Sequence, residues 1–124
     1  MNKKRPIHLA LHLIKLPLSG LVSILHRVSG LLLFLALPLL LFALQYSLRS
    51  IETYTQLLTA LHYPCSKLLL LVLLWAFLHH FCAGLRYLAI DLDYGVELAT
   101  ARVTAKWVFV VSGVATFILG VWLW

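Results

Sequence analysis

The sequence predicts an all-α integral membrane protein with three transmembrane helices. Hydrophobic residues make up 63% of its 124 residues and charged residues only 11%, whereas a soluble domain averages about 25% charged residues. Three uncharged, largely apolar runs cover residues 28–48, 68–85 and 107–124. With their flanking residues, each is long enough to cross a hydrocarbon layer about 30 Å thick. Because lipid offers the backbone no hydrogen-bond partners, runs of this kind form helices.

We expect one membrane-anchor domain over the whole chain. Its spans are predicted at about 20–48, 66–90 and 104–124, after a cytoplasmic N-terminal segment at 1–19. That segment begins with basic residues, as a signal peptide does, but His8, His12 and Lys15 interrupt its apolar run. We therefore expect the segment to be retained. Pro38 falls inside the first span and is a possible kink.

The positive charges predict the orientation of the chain. The net charge is +6, and Lys and Arg concentrate in the N-terminal segment and around the second loop, at positions 3–5, 15, 27, 86, 102 and 106. Because basic loops stay in the cytoplasm, we expect a cytoplasmic N-terminus and a periplasmic C-terminus in a bacterial inner membrane. The basic residues sit at the ends of apolar runs and form no common face, so we expect no nucleic-acid partner.

Two adjacent histidines, His79 and His80, stand inside the second apolar run. Consecutive helical residues differ by about 100°, so the two side chains face different directions. Gly84 lies one turn after His80 and leaves room for a flat group, such as a haem, for which neutral imidazole is a common axial ligand. The alternative is a hydrogen bond across helices, which is the interpretation we keep for His79. Two cysteines without a CxxC pattern argue against a zinc site or a covalently attached haem.

Polar and small residues cluster at the start of the first span, in SGLVSILHRVSG. His26 and Arg27 are cations suited to haem propionates, and Ser23 is a hydroxyl suited to a quinone carbonyl. The alternative is a basic anchor in which Arg27 reaches lipid phosphates. Gly20 and Gly30 would let another helix approach closely.

Two stretches together resemble the cytochrome b membrane-anchor subunit of succinate dehydrogenase. The first is RPIHLALHLIKLPLSGLVSILHRVSG, in which an Arg-Pro pair precedes Ser-Ile-Leu-His-Arg-x-Ser-Gly. The second is HHFCAGLRYLAID, which contains His-x-x-x-Gly-Leu-Arg followed by an Asp. Both occur in the family's order, and length and number of spans also match, so the resemblance covers nearly the whole chain.

This resemblance implies roles for four residues. His80 matches an axial ligand of one haem b, whose second ligand comes from a small anchor subunit. His26 and Arg27 match residues near the haem propionates, while Ser23 and Arg27 match residues of the ubiquinone site. For these positions the resemblance and the residue chemistry agree.

Other motif positions receive no defined role. Arg86 and Asp91 match positions that are either structural or close to the quinone. Tyr87 stands where many members have a second histidine, so no role of that histidine transfers to it. His79 does not occupy the ligand position of the motif.

The resemblance also implies an assembly. A flavoprotein subunit oxidises succinate, an iron–sulfur subunit passes the electrons on, and ubiquinone is reduced where that subunit meets the two anchors. This chain has no Gly-rich dinucleotide loop and no cysteine set for clusters, so we expect it not to oxidise succinate alone. Its basic segments 3–5 and 102–106 are candidates to dock the soluble subunits or to meet anionic membrane lipid.

Three alternatives stay open at this point. One is a fumarate reductase anchor, which runs the same chemistry in reverse. Another is a small non-redox membrane protein, such as a transporter half or an assembly factor, with His79 and His80 as proton or packing groups. A third, a two-haem cytochrome b, is disfavoured because it usually needs at least two pairs of histidines across one bundle.

Overall fold

The computed structural model describes residues 15–123, which form four helices and no strand. The helices are α1 (Leu18–Ser47), α2 (Ile51–His62), α3 (Pro64–Asp91) and α4 (Leu98–Leu123). Three of them, α1, α3 and α4, are long and apolar enough to cross a membrane, which confirms the predicted fold class. Residues 1–14 and 124, with most of the predicted segment 1–19 and its basic positions 3–5, lie outside the described residues.

The helices extend beyond the apolar runs that predicted them. Helix α1 continues through Pro38 to Ser47. Helix α4 begins at Leu98, ahead of the predicted start at 104, so Arg102 and Lys106 belong to its first turns. Hydropathy locates only the part of a helix that lies in lipid. The helix itself continues into the polar region until a cap or a turn ends it.

The short helix α2 was not predicted from the sequence. Ser50 caps its start: the Ser50 hydroxyl accepts from the Thr53 backbone N–H at 3.2 Å, and Thr53 Oγ1 accepts from the Ser50 N–H at 3.1 Å. Glu52 in the first turn is favourable at a helix N-terminus. The Tyr46 hydroxyl of α1 donates to Gln56 Oε1 and ties α2 to its neighbour. These capping residues were the available signal for α2.

The interior of the bundle is built from small side chains. Helix α3 packs against both α1 and α4, and α1 also contacts α4. The buried residues of these three helices are Val22, Ser29, Ala36, Ala76, His79, Ala83, Ala105, Val108, Ser112 and Gly120. In lipid, helices associate through close backbone packing, which small residues permit. Most large apolar side chains of α1, α3 and α4 are exposed instead, as expected for surfaces that meet lipid or other membrane chains.

The connection from α3 to α4 is a tight turn. Asp93 and Gly95 both have positive φ angles, 62° and 74°. The Tyr94 N–H donates to the Ala89 carbonyl at 2.9 Å and so closes the end of α3. The turn returns the chain beside α3, so the start of α1, the end of α3 and the start of α4 share one end of the bundle. We call this the basic end, because Arg27, Arg86, Arg102 and Lys106 belong to it.

Candidate functional site

His80 lies half-buried where α1 and α3 meet, on the side of the basic end. Its Nδ1 atom is 3.0 Å from the His26 carbonyl oxygen and 3.4 Å from the Ser29 hydroxyl. Because a carbonyl oxygen only accepts, the hydrogen bond requires the proton on Nδ1. In that tautomer of neutral imidazole, Nε2 carries a free lone pair and can bind a metal.

The His26 ring stacks on the His80 ring. The ring centroids are 4.2 Å apart and the planes differ by 9°. The same His26 ring lies over Gly84, where an added Cβ would be 3.6 Å from His26 Nε2. The packing of α1 thus brings the His26 imidazole beside Gly84, while the interpretation of Gly84 as space for a haem against α3 stays a prediction.

Gly30 of α1 has no room for a side chain beside His80. A Cβ at Gly30 would lie 2.8 Å from His80 Cε1 and 3.2 Å from Nδ1. The expectation that Gly30 admits a neighbouring helix therefore holds, and its neighbour is the imidazole of His80. The glycine at position 20 instead has its own preceding residues, Leu16 and Pro17, as its near neighbours.

His79 faces a different part of the bundle from His80. Its side chain is fully buried, with ring centroids 5.2 Å from Trp75 and 5.4 Å from Phe109 of α4. Neither ring nitrogen has a hydrogen-bond partner among residues 15–123, so the hydrogen bond across helices that we expected for His79 is not found there. The two histidines therefore point to different neighbours, as helical geometry predicts. His79 lies inside the bundle of this chain, between Trp75 and Phe109.

Ser23 and Arg27 lie one helical turn apart in α1, at the basic end. Ser23 is half-buried and Arg27 is exposed. His26 is adjacent to Arg27 and contacts α3 through His80 and Tyr87, with 5.2 Å between the His26 and Tyr87 ring centroids. The structure thus brings His26 and His80 into direct contact. It places Ser23 and Arg27 on neighbouring positions of the same helix segment.

Arg86 joins α3 to α4 at the basic end. Its Nε donates to Thr104 Oγ1 and its Nη2 to the Ala101 carbonyl, both at 3.1 Å. These contacts join α3 to α4 within the chain, and both roles left open by the motif position of Arg86, structural or close to the quinone, stay predictions. Tyr87 packs beside it, with a buried hydroxyl that has no hydrogen-bond partner in the described part of the chain. Asp91 is exposed at the last residue of α3.

Three residues of this region had no role in our sequence analysis, namely Ser29, Thr104 and, as a neighbour of His80, Gly30. Ser29 and Gly30 belong to the quoted motif, so their presence was visible but their contact with α3 was not. Thr104 had no signal in the sequence, because its partner Arg86 is far away along the chain.

The donor set fits a haem better than a bare metal ion. Within residues 15–123, no three His, Cys, Asp or Glu side chains come together as a metal-binding group. A haem needs only an axial ligand from this chain, because the macrocycle supplies the equatorial nitrogens. His80, with Nδ1 bonded and Nε2 free, meets that requirement, and His26 and Arg27 are cationic or hydrogen-bonding groups nearby.

Comparisons with known proteins agree with these observations. Residues 1–120 match the model of the family described as succinate dehydrogenase/fumarate reductase transmembrane subunit. The chain is 40% identical to the succinate dehydrogenase cytochrome b556 subunit of Coxiella burnetii over 125 residues, covering 100% of both chains. The subunit of the same name from Rickettsia felis is 33% identical over 118 residues, covering 95% of this chain and 92% of the relative. The match and the three apolar helices are those of a multi-pass protein of the bacterial inner membrane. The chain therefore belongs to the transmembrane subunits of succinate dehydrogenase and fumarate reductase, as a cytochrome b anchor subunit.

Proposed function

We propose that this chain is the larger membrane anchor of a succinate:quinone oxidoreductase and that His80 is an axial ligand of one haem b. The observation that carries this proposal is the hydrogen bond from His80 Nδ1 to the His26 carbonyl, which leaves Nε2 free. When bound, the haem supplies a one-electron redox centre. His80 would hold the iron, and a small anchor subunit would provide a second ligand.

His26 and Arg27 are proposed to hold the haem propionates. Propionates are anions and bind guanidinium and imidazole groups through charge-assisted hydrogen bonds. The stacking of His26 on His80 supports this role, because it places a second imidazole 4.2 Å from the ring of the proposed ligand. Arg27 is exposed on the same helix segment and is therefore accessible to an anion that lies beside this chain.

Ser23 and Arg27 are proposed to bind ubiquinone at the basic end. Reduction of a quinone places negative charge on its carbonyl oxygens, and hydrogen-bond donors stabilise that charge. Ser23 offers a hydroxyl and Arg27 a guanidinium on successive turns of α1. The quinone would then lie near the cytoplasmic surface, close to a soluble electron donor.

The soluble subunits are proposed to dock at the same end. Arg102 and Lys106 are exposed on the first turns of α4 and present positive charge there. An iron–sulfur subunit, together with the flavoprotein subunit, would bind this surface and deliver electrons from succinate. The chain then contributes binding and positioning, while succinate oxidation takes place in the flavoprotein subunit. Anionic membrane lipid is the other candidate to meet these charges.

Replacement of the proposed ligand tests this function. In the purified complex, His80→Ala removes the only proposed ligand atom of this chain and is expected to abolish or strongly reduce the haem absorption bands per complex. His62→Ala is the matched control, because His62 is exposed at the end of α2. Copurification of the partner chains establishes that each variant has assembled. A fully loaded His80→Ala complex with an unchanged haem spectrum would refute the assignment.

A fumarate reductase anchor remains the second candidate, since the family includes both enzymes. The curated relatives are named for succinate dehydrogenase, which favours succinate oxidation. The midpoint potentials of the bound quinone and haem, measured in the purified complex, decide between the two directions.

A further inference from the structure

The Nδ1 edge of His80 lies against the backbone of α1. The His26 carbonyl is 3.0 Å from Nδ1, and the Ser29 hydroxyl is 3.4 Å from it. Ser29 is fully buried, and its hydroxyl donates to the same His26 carbonyl at 3.0 Å. Since the Ser29 proton is used in that bond, Ser29 Oγ is left to accept. Both polar neighbours of Nδ1 are therefore acceptors, and both favour a proton on Nδ1.

Gly30 makes this arrangement sterically possible. The nearest atom to a Cβ placed there is His80 Cε1 at 2.8 Å, closer than real Cβ contacts allow. The imidazole has little freedom to move aside, because the His26 ring is stacked on one of its faces at 4.2 Å. A side chain at position 30 would thus push the imidazole away from the α1 backbone or push α1 away from α3.

We infer that Gly30 is a positioning residue for the haem ligand: its missing side chain lets the His26 carbonyl and the Ser29 hydroxyl hold the Nδ1–H of His80, which leaves Nε2 for the iron. This inference rests on the proposed function of His80. A hydrogen bond from the second ring nitrogen orients a ligating histidine and raises its basicity. A more basic axial ligand stabilises ferric iron, so weakening this bond raises the reduction potential of the haem.

The test compares two glycine substitutions in the purified complex. Gly30→Ala is expected to lower haem content or, where haem is retained, to shift its midpoint potential upward and change the electron paramagnetic resonance signals of ferric haem. Gly113→Ala on α4 is the matched control, because an added Cβ there meets nothing within 4 Å. The control is expected to keep wild-type values. A Gly30→Ala complex with wild-type haem content, potential and resonance spectrum would overturn the inference.

Ser29→Ala decides the question if the complex with Gly30→Ala does not assemble. This change removes the hydroxyl without adding bulk, so haem is expected to remain while its midpoint potential is displaced. An unchanged potential and resonance spectrum in this variant would equally overturn the inference. A wild-type complex without haem would instead refute the proposed function itself. A haem-containing wild type with unresponsive variants would refute only the role of Gly30.

Discussion

The imidazole of His80 belongs to α3 but is held by groups of α1. The His26 carbonyl and the Ser29 hydroxyl surround its Nδ1, while Gly30 provides the space in which the ring fits. The His26 carbonyl accepts from both the Ser29 hydroxyl and His80 Nδ1, so two side chains share it. At the scale of single residues, the site thus depends on one absent side chain and one shared acceptor.

The proposed quinone-binding residues are tested by separating two activities. Ser23→Ala and Arg27→Ala each remove a donor to the quinone oxygens, so quinone reduction is expected to fall by about 10- to 100-fold, as for loss of about 1.4–2.7 kcal/mol of stabilisation. Succinate oxidation with an artificial soluble acceptor is expected to persist, because it does not use this site. Arg49→Ala, at an exposed position after α1, serves as the control. Equal loss of both activities would indicate failed assembly, whereas unchanged quinone reduction in an assembled complex would contradict the quinone assignment.

At the scale of helices, α3 is the central element of this chain. It contacts α1 through the His26–His80 pair and contacts α4 through Phe109 and the hydrogen bonds of Arg86. Apolar side chains do little to determine which helix faces pack together in a membrane, because lipid tails are as apolar as the side chains. Polar contacts between helices therefore matter for which faces meet.

Loss of the Arg86 contacts is expected to loosen the packing of α3 against α4. Arg86→Gln removes two hydrogen bonds from a charged donor, each worth about 1.5–3 kcal/mol in proteins. Half-burial places each bond near the low end of that range, so the expected total is about 3 kcal/mol. The melting temperature of the purified complex should fall. Arg49→Gln replaces an exposed arginine at the other end of the bundle, away from the proposed docking surface, and should leave the melting temperature nearly unchanged. Equal melting temperatures for both variants would contradict the structural role of Arg86.

At the scale of the whole molecule, the chain places its charges unevenly along the bundle. The basic end contains Arg27, Arg86, Arg102 and Lys106, whereas the opposite end, which carries α2, has Arg49 and Lys67. Basic loops remain in the cytoplasm. We therefore expect the basic end on the cytoplasmic side, with α2 at the periplasmic surface.

The two cysteines offer a direct measurement of this orientation. Cys65 is exposed at the start of α3, next to α2, while Cys82 lies half-buried in the middle of α3. A membrane-impermeant maleimide is expected to label Cys65 in spheroplasts, and Cys65→Ser should remove the labelling. Ser50→Cys, at an exposed position before α2, provides a second reporter on the same side if a partner chain covers Cys65. Labelling of these sites only in inverted vesicles would reverse the proposed orientation.

Much of the fold was predictable because hydropathy and charge act locally along the chain. Apolar runs predicted three spans, and residues 15–123 contain three long apolar helices. Helix α2 was missed because its signal is a capping box of Ser50 and Thr53 rather than a long apolar run. The start of α4 at Leu98 was also missed, since a helix can continue into water before its apolar part begins.

By itself, the sequence determined the three long apolar helices and the concentration of positive charge at one end. It also contained the two motifs through which the chain resembles its family. It also determined that His79 and His80 face different directions, because that follows from the pitch of a helix. Only the tertiary structure decided that His26 fills the space over Gly84, that Gly30 admits His80, and that Arg86 binds Thr104. These contacts join residues far apart in the chain, and they depend on how the helices pack, which no local pattern specifies.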